Sequence, residues 1–101
     1  MLSEIFDLTA ADPKTLQERA LKLCEEAGEV AQAVLSATGA PGTAYKGLSV
    51  ADVREEAVDT IIVAMAVLAQ ASDSRDFFEA EFERLILQKC QKWQATLAVD
   101  P

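Results

Sequence analysis

The sequence contains no histidine. That removes imidazole acid–base catalysis, most zinc sites and the Glu-x-x-His pairs that hold iron in ferritin-like bundles. Cysteine is nearly as scarce. Cys24 and Cys90 stand far apart with no C-x-x-C, so they read as two buried free thiols rather than a disulfide or a metal site, in keeping with a reducing cytoplasm. Basic residues are few, 9 Lys and Arg against 17 Asp and Glu, for a net charge of −8. So acidic a chain is not built to wrap a nucleic acid polymer, whose phosphates need a basic face, nor to dock on anionic lipid. A small polyphosphate can still bind, provided a divalent cation sits between it and the protein. Long hydrophobic runs are also missing. The longest, Ile61–Ala69, makes about 14 Å of helix against a bilayer core of about 30 Å. Acids at Glu4 and Asp7 interrupt the first apolar residues and no basic n-region precedes them, so the start does not read as a signal peptide. A cytoplasmic location is the expectation.

What remains is a helical composition. Half of the 101 residues are hydrophobic, and the chain has only 4 Gly and 3 Pro, the profile of one ordered domain. No alternating strand pattern occurs, and the fold class expected is all-α. Asp12 as N-cap and Pro13 at the first helical position open a helix running to about Ala37, with Leu16, Leu23, Ala27, Val30 and Val34 at helical spacing. Thr38–Gly47 holds three of the four glycines and reads as a loop. Ser49 with Asp52 forms a capping-box-like start for a second helix, ending near Ala71. Ser72, Asp73 or Ser74 caps a third, whose stripe is Phe78, Phe82, Leu85, Ile86 and Trp93. Leu2, Ile5, Phe6 and Leu8 suit a short first helix or a segment packed on the bundle. After Asp59 the second long helix is apolar on every side, hence expected to be buried on every side. A chain this small cannot easily surround a helix. A partner subunit, in a homodimer or homotetramer, is the preferred cover, with the N-terminal segment as the alternative.

Acid is placed unevenly. "CEEAGEV" carries Glu25, Glu26 and Glu29, and "REEAVDT" carries Glu55, Glu56 and Asp59. At about 100° per residue, each trio spans an arc of about 100° on its helix, beside the apolar stripe and not opposite it. One such cluster is ordinarily a solvated face. Two, on adjacent antiparallel helices, can meet at one level. Like charges about 4 Å apart then repel by about 4 kcal/mol at an effective dielectric of 20. With no histidine and few lysines nearby, a hard divalent cation with oxygen ligands is the natural offset, and Mg²⁺ fits best, with Mn²⁺ as the alternative.

"EEAGE" followed by "EAVD" resembles the E-E-x-x-E … E-x-x-D signature of the MazG-like all-α nucleoside triphosphate pyrophosphohydrolases. The likeness runs from about Leu16 to Leu68, includes Lys22 and Gly28, and extends to "LQKCQKW" as a lysine-bearing last helix. It implies a helical bundle with the metal site between two antiparallel helices, completed by oligomerisation. It makes Glu26, Glu29, Glu56 and Asp59 the Mg²⁺ ligands. Glu25 is given a catalytic part, binding a further metal or orienting the attacking water, while Glu55 has no matching role and reads as a supporting acid. The reaction implied is hydrolysis of a nucleoside triphosphate between its α- and β-phosphates. Such displacement needs positioning and charge neutralisation more than a protein nucleophile.

Lys22, Lys46, Lys89 and Lys92 are the candidate phosphate contacts. Against that, Lys22 can simply pair with Glu26 at i,i+4, and lysines late in a helix favour its dipole. Tyr45, Phe77 and Trp93 can stack a base; Tyr45 is the best placed, and Trp93 reads better as core or interface. A phosphoribosyl-ATP pyrophosphohydrolase is the near rival, weakened because Asp59 is followed by Thr-Ile-Ile-Val and not the Tyr-His typical of that group. A non-catalytic helical dimer or partner-binding module is the rival of another class.

Overall fold

A computed structural model describes residues 1–99. It contains four α-helices: α1 (Leu2–Ala11), α2 (Leu16–Ala37), α3 (Val50–Gln70) and α4 (Arg75–Val99). No strand occurs among the described residues, as the sequence pattern requires. Nor, among them, is any helix long and apolar enough to cross a membrane.

The helix starts follow local hydrogen-bond chemistry. α2 begins later than Asp12–Pro13 suggests. The Asp12 N–H donates to the Leu8 carbonyl and closes α1, and Pro13 lies in an extended link. Thr15 is the true N-cap: its hydroxyl accepts from the Glu18 N–H at 3.0 Å, and the Glu18 carboxylate accepts from the Thr15 N–H at 2.8 Å. A reciprocal box of this kind satisfies two orphan donors, which a single Asp cap cannot do. Ser49 and Asp52 form the same box at the start of α3, as expected. For α4 the cap is Ser74, whose hydroxyl accepts from the Phe77 N–H.

α2 and α3 form an antiparallel pair. Ser36 near the end of α2 accepts from the Leu48 N–H at 3.1 Å, and Arg19 at the other end reaches Gln70. Buried Ala33 and Ser36 are small, which lets the helices approach closely where the loop joins them. That loop needs glycine at its exits: Gly39, just beyond α2, has φ 75°, and Gly47 closes a 3-10 turn (Ala44–Lys46) with φ 63°.

α1 lies across α3 and joins it to the start of α4. The core sits there: Met65, Ala69 and fully buried Phe78, packed by Leu2, Ile5, Phe6, Leu68 and Phe82. The Phe6 and Phe78 rings stand 5.8 Å apart, centroid to centroid, a favourable aromatic separation. Arg75 pairs with Asp7 and lies over the Phe6 ring, tying α4 to α1.

Arg19 holds the other end of α1. It is 6% exposed. Its guanidinium donates to Gln70 at 2.5 Å and to the carbonyls of Thr9 and Asp12 at 3.2 and 3.0 Å. Gln70 in turn donates to the Lys14 carbonyl at 3.0 Å. One side chain therefore satisfies carbonyls left open by the end of α1 and fastens α1, α2 and α3 together. Arg19→Ala is expected to cost about 2–4 kcal/mol, since charge-assisted hydrogen bonds contribute about 1.5–3 kcal/mol each and the part-buried Thr9 carbonyl loses its side-chain partner. The urea midpoint measures this, with Arg19→Lys falling between.

One sequence expectation is corrected. Cys24 and Cys90 are exposed, not buried. α2 has α3 and the loop as its backbone neighbours, so Cys24 faces water, and Cys90 lies on the unpacked half of α4. Within one chain α3 is covered only in part, and the remainder is the face for which a partner subunit is the preferred cover. α2 and α1 cover part of it, while Val58, Ile61 and Ile62 are 51%, 57% and 47% exposed.

Candidate metal centre

Antiparallel pairing brings the middle of α2 against the first half of α3. Three carboxylates converge there, each offering an oxygen within 4.8 Å of the others: Glu26, Glu29 and Glu56. Glu26 is the most enclosed, 6% exposed. Its Oε1 accepts from Lys22 Nζ at 3.2 Å, whereas its Oε2 is buried without a partner. Glu56 Oε2 is likewise buried and unpartnered. An unpartnered buried acceptor costs about 1–3 kcal/mol, more when charged, so a cation or a proton held among these oxygens would be stabilising.

Electrostatics agree. The Glu29 carboxyl is pushed above the ordinary glutamate range, first by the hydrogen bond it shares with Glu56, then by the nearby Glu26 charge and by burial. Lys22 is pushed up by its hydrogen bond to Glu26 and the charge of Glu25. Lys22 is the one cation paired with the cluster among the described residues, and it serves one oxygen of Glu26 while also touching Glu25 at 3.5 Å. A single exposed lysine does not balance three carboxylates.

The other candidates are placed as follows. Glu25 is exposed beside Lys22, outside the three-carboxylate cluster. Asp59, one turn beyond Glu56, is exposed and also outside it. With Arg54, Glu55, Glu56 and Val58 it bounds an open face of α3. Lys46 donates to Gln32 Oε1 at 3.1 Å, one turn past Glu29, and lies 5.6 Å from the ring centroid of Tyr45, itself 81% exposed. Lys89 and Lys92 are exposed on the far half of α4, whose backbone packs on α1 and α3 but not on α2. Within one chain they are not brought to the carboxylates. Trp93, 69% exposed, is not core.

Sequence reasoning missed the groove between α1, α2 and α3. It has a volume of about 280 Å³ and is walled by Ile5, Leu8, Ile62, Val63 and Ala66, with Lys22 and Arg19 among its lining. Lys22 is shared between groove and cluster, so the two adjoin. The apolar residues of α1 were the available signal, but only tertiary packing sets them opposite Ile62 and Val63. Comparison with protein-family models, with curated proteins and with solved structures finds no match to this chain.

Proposed function

We propose that the protein is a Mg²⁺-dependent nucleotide pyrophosphohydrolase, cleaving a nucleoside triphosphate between the α- and β-phosphates, with Mn²⁺ as the alternative metal. The observation that carries the metal reading is the pair of buried, unpartnered carboxylate oxygens on Glu26 and Glu56. An all-oxygen donor set of this kind suits a hard cation. Glu26, Glu29 and Glu56 would hold the metal, and Asp59, one turn along α3, is the fourth ligand the sequence resemblance implies. When bound, the metal neutralises phosphate charge and lowers the pKa of a bound water. Glu25, exposed beside Lys22, would bind a further metal or orient the attacking water, and Lys22 would meet a phosphate as a point charge. The adjoining groove, apolar and near the lower size limit of small-molecule sites (about 300 Å³), suits the nucleoside end. Its lining has no aromatic residue.

The test is a screen of common dNTPs and NTPs, with phosphoribosyl-ATP added, for Mg²⁺-dependent release of pyrophosphate. Release is expected from at least one nucleotide. Glu29→Gln and Asp59→Asn are each expected to lower the rate by 100-fold or more, the scale of losing an electrostatic contact made in the transition state. No release from any substrate, or activity that survives both substitutions, overturns the reading in favour of a non-catalytic helical module.

A further inference from the structure

Arg19 carries a charge that the fold does not neutralise. It is buried, and no carboxylate pairs with it among the described residues. Of its guanidinium nitrogens, Nε donates to Gln70, and Nη2 donates to the Thr9 and Asp12 carbonyls. Nη1 makes no hydrogen bond among the described residues. It is also not sealed in the interior, as Glu26 Oε2 and Glu56 Oε2 are. Arg19 lines the groove between α1, α2 and α3, so Nη1 is a donor open to that groove. Enclosed polar groups are ordinarily satisfied, and a ligand that brings an acceptor here would satisfy this one.

The other polar groups of the groove are engaged elsewhere. Thr9 Oγ1 donates to the Ile5 carbonyl at 2.7 Å. The Asp12 carboxylate faces Lys14 Nζ at 3.4 Å in an exposed pair, and Lys22 is half-exposed beside Glu25 and Glu26. The walls are aliphatic: Ile5, Leu8, Ile62, Val63 and Ala66. A ligand in the groove therefore meets apolar walls and one enclosed donor.

Spacing relates that donor to the carboxylates. Arg19, Lys22 and Glu26 occupy successive turns of α2, and Arg19 lies seven residues before Glu26. That is about 10 Å along the axis, the span of a ribose with its base. A nucleotide whose α-phosphate sits at the carboxylate cluster brings the far edge of its base to Arg19. At that edge thymine and guanine present a carbonyl oxygen, as uracil and hypoxanthine do, whereas cytosine and adenine present an amino group.

We infer that Arg19 selects the base, favouring nucleotides with a carbonyl oxygen at that edge over those with an amino group. The carbonyl accepts from Nη1 in a charge-assisted hydrogen bond. An amino group sets donor against donor and leaves both unpaired. That the ligand is a nucleotide rests on the proposed function; the open donor and the apolar walls do not.

The full-length chain, ¹³C-labelled at isoleucine, leucine and valine methyls, is titrated with inosine, adenosine, uridine and cytidine without metal. These nucleosides carry no phosphate, so their binding needs neither the carboxylate cluster nor turnover. Methyls of Ile5, Leu8, Ile62 and Val63 are expected to shift, with inosine and uridine binding about tenfold or more tighter than adenosine and cytidine. Arg19→Lys is expected to keep the apolar contacts and lose the difference, because an ammonium is a point charge without the separate edge of the guanidinium fork. A loss of stability alone weakens every titration and leaves the ratio in place. Where Arg19→Lys does not fold, the wild-type comparison decides. Equal affinity within a pair, a preference for the amino base, or no shift of groove methyls into the millimolar range overturns the inference. So does an unchanged ratio in a folded Arg19→Lys chain. Nucleosides that sort as expected on a chain that releases no pyrophosphate from any triphosphate count against the enzyme reading alone. Release at equal kcat/KM from inosine and adenosine triphosphates counts against the base selection alone.

Discussion

Mg²⁺ at a hundredfold excess over its dissociation constant is expected to raise the melting temperature by on the order of 10 °C, and to do nothing for Glu29→Gln. Such an excess of a ligand that binds only the folded state adds about 2.7 kcal/mol, and each kcal/mol moves a domain of this size by about 4–8 °C. Without metal the order of the two proteins reverses. Glu29 is raised above its ordinary value, first by Glu56 and then by Glu26, so the folded state holds its proton to higher pH than the unfolded state does. Its favourable contribution is complete below the ordinary glutamate pKa and is lost as pH rises through the raised value. At neutral pH the apo protein lacks that contribution, and Glu29→Gln, which removes the charge, is the more stable of the two. The gap closes on acidification. Glu18 and Glu81 act in the opposite sense. Thr15 and Arg84 respectively hold them below the ordinary range, so both proteins lose their contribution as pH falls, and it cancels in the difference. Melting curves of both chains from below the ordinary glutamate pKa, about 4.3, up to neutral pH, with and without Mg²⁺, check all of this. A Glu29→Gln chain that is less stable than wild type without metal would contradict the crowding of the carboxylates.

Phe78→Ala is expected to cost about 3–5 kcal/mol, the range for emptying a buried aromatic position, and to lower the melting temperature by on the order of 15–25 °C. Among the described residues Phe78 is the one large side chain that is fully enclosed. It joins α1, α3 and α4 through Phe6, Met65 and Ala69. Small domains have total stabilities of about 5–15 kcal/mol, so this variant sits near the unfolding threshold at 37 °C. Its chemical denaturation midpoint is the direct measure. A cost below about 1 kcal/mol would mean that the core closes over the gap.

Legibility in the sequence differed from residue to residue for physical reasons. The Ser49–Asp52 box, the loop at Thr38–Gly47 and the acidic arcs were readable because each depends on spacing within a few residues. The start of α2 is ambiguous in the sequence because Asp12 suits two roles, and in the fold its N–H is taken by Leu8 as the end of α1. Nothing local in the sequence distinguishes the Arg19 guanidinium, which reaches Gln70 and the Thr9 and Asp12 carbonyls, from one in water. Residue type suggests a buried Cys24 but says nothing about which face of α2 meets α3.

By itself the sequence determined an all-α chain with two acidic arcs on two neighbouring helices, because helical period and capping are short-range. Only the tertiary structure decided which acids meet. Glu26, Glu29 and Glu56 converge, while Glu25 and Asp59 stay outside, because the antiparallel register of α2 and α3 sets which turns face each other. It likewise decided that Lys89 and Lys92 lie on a helix whose backbone does not pack on α2. Helical period describes one helix at a time, and the direction in which α4 leaves the core is a property of the packing at Phe78.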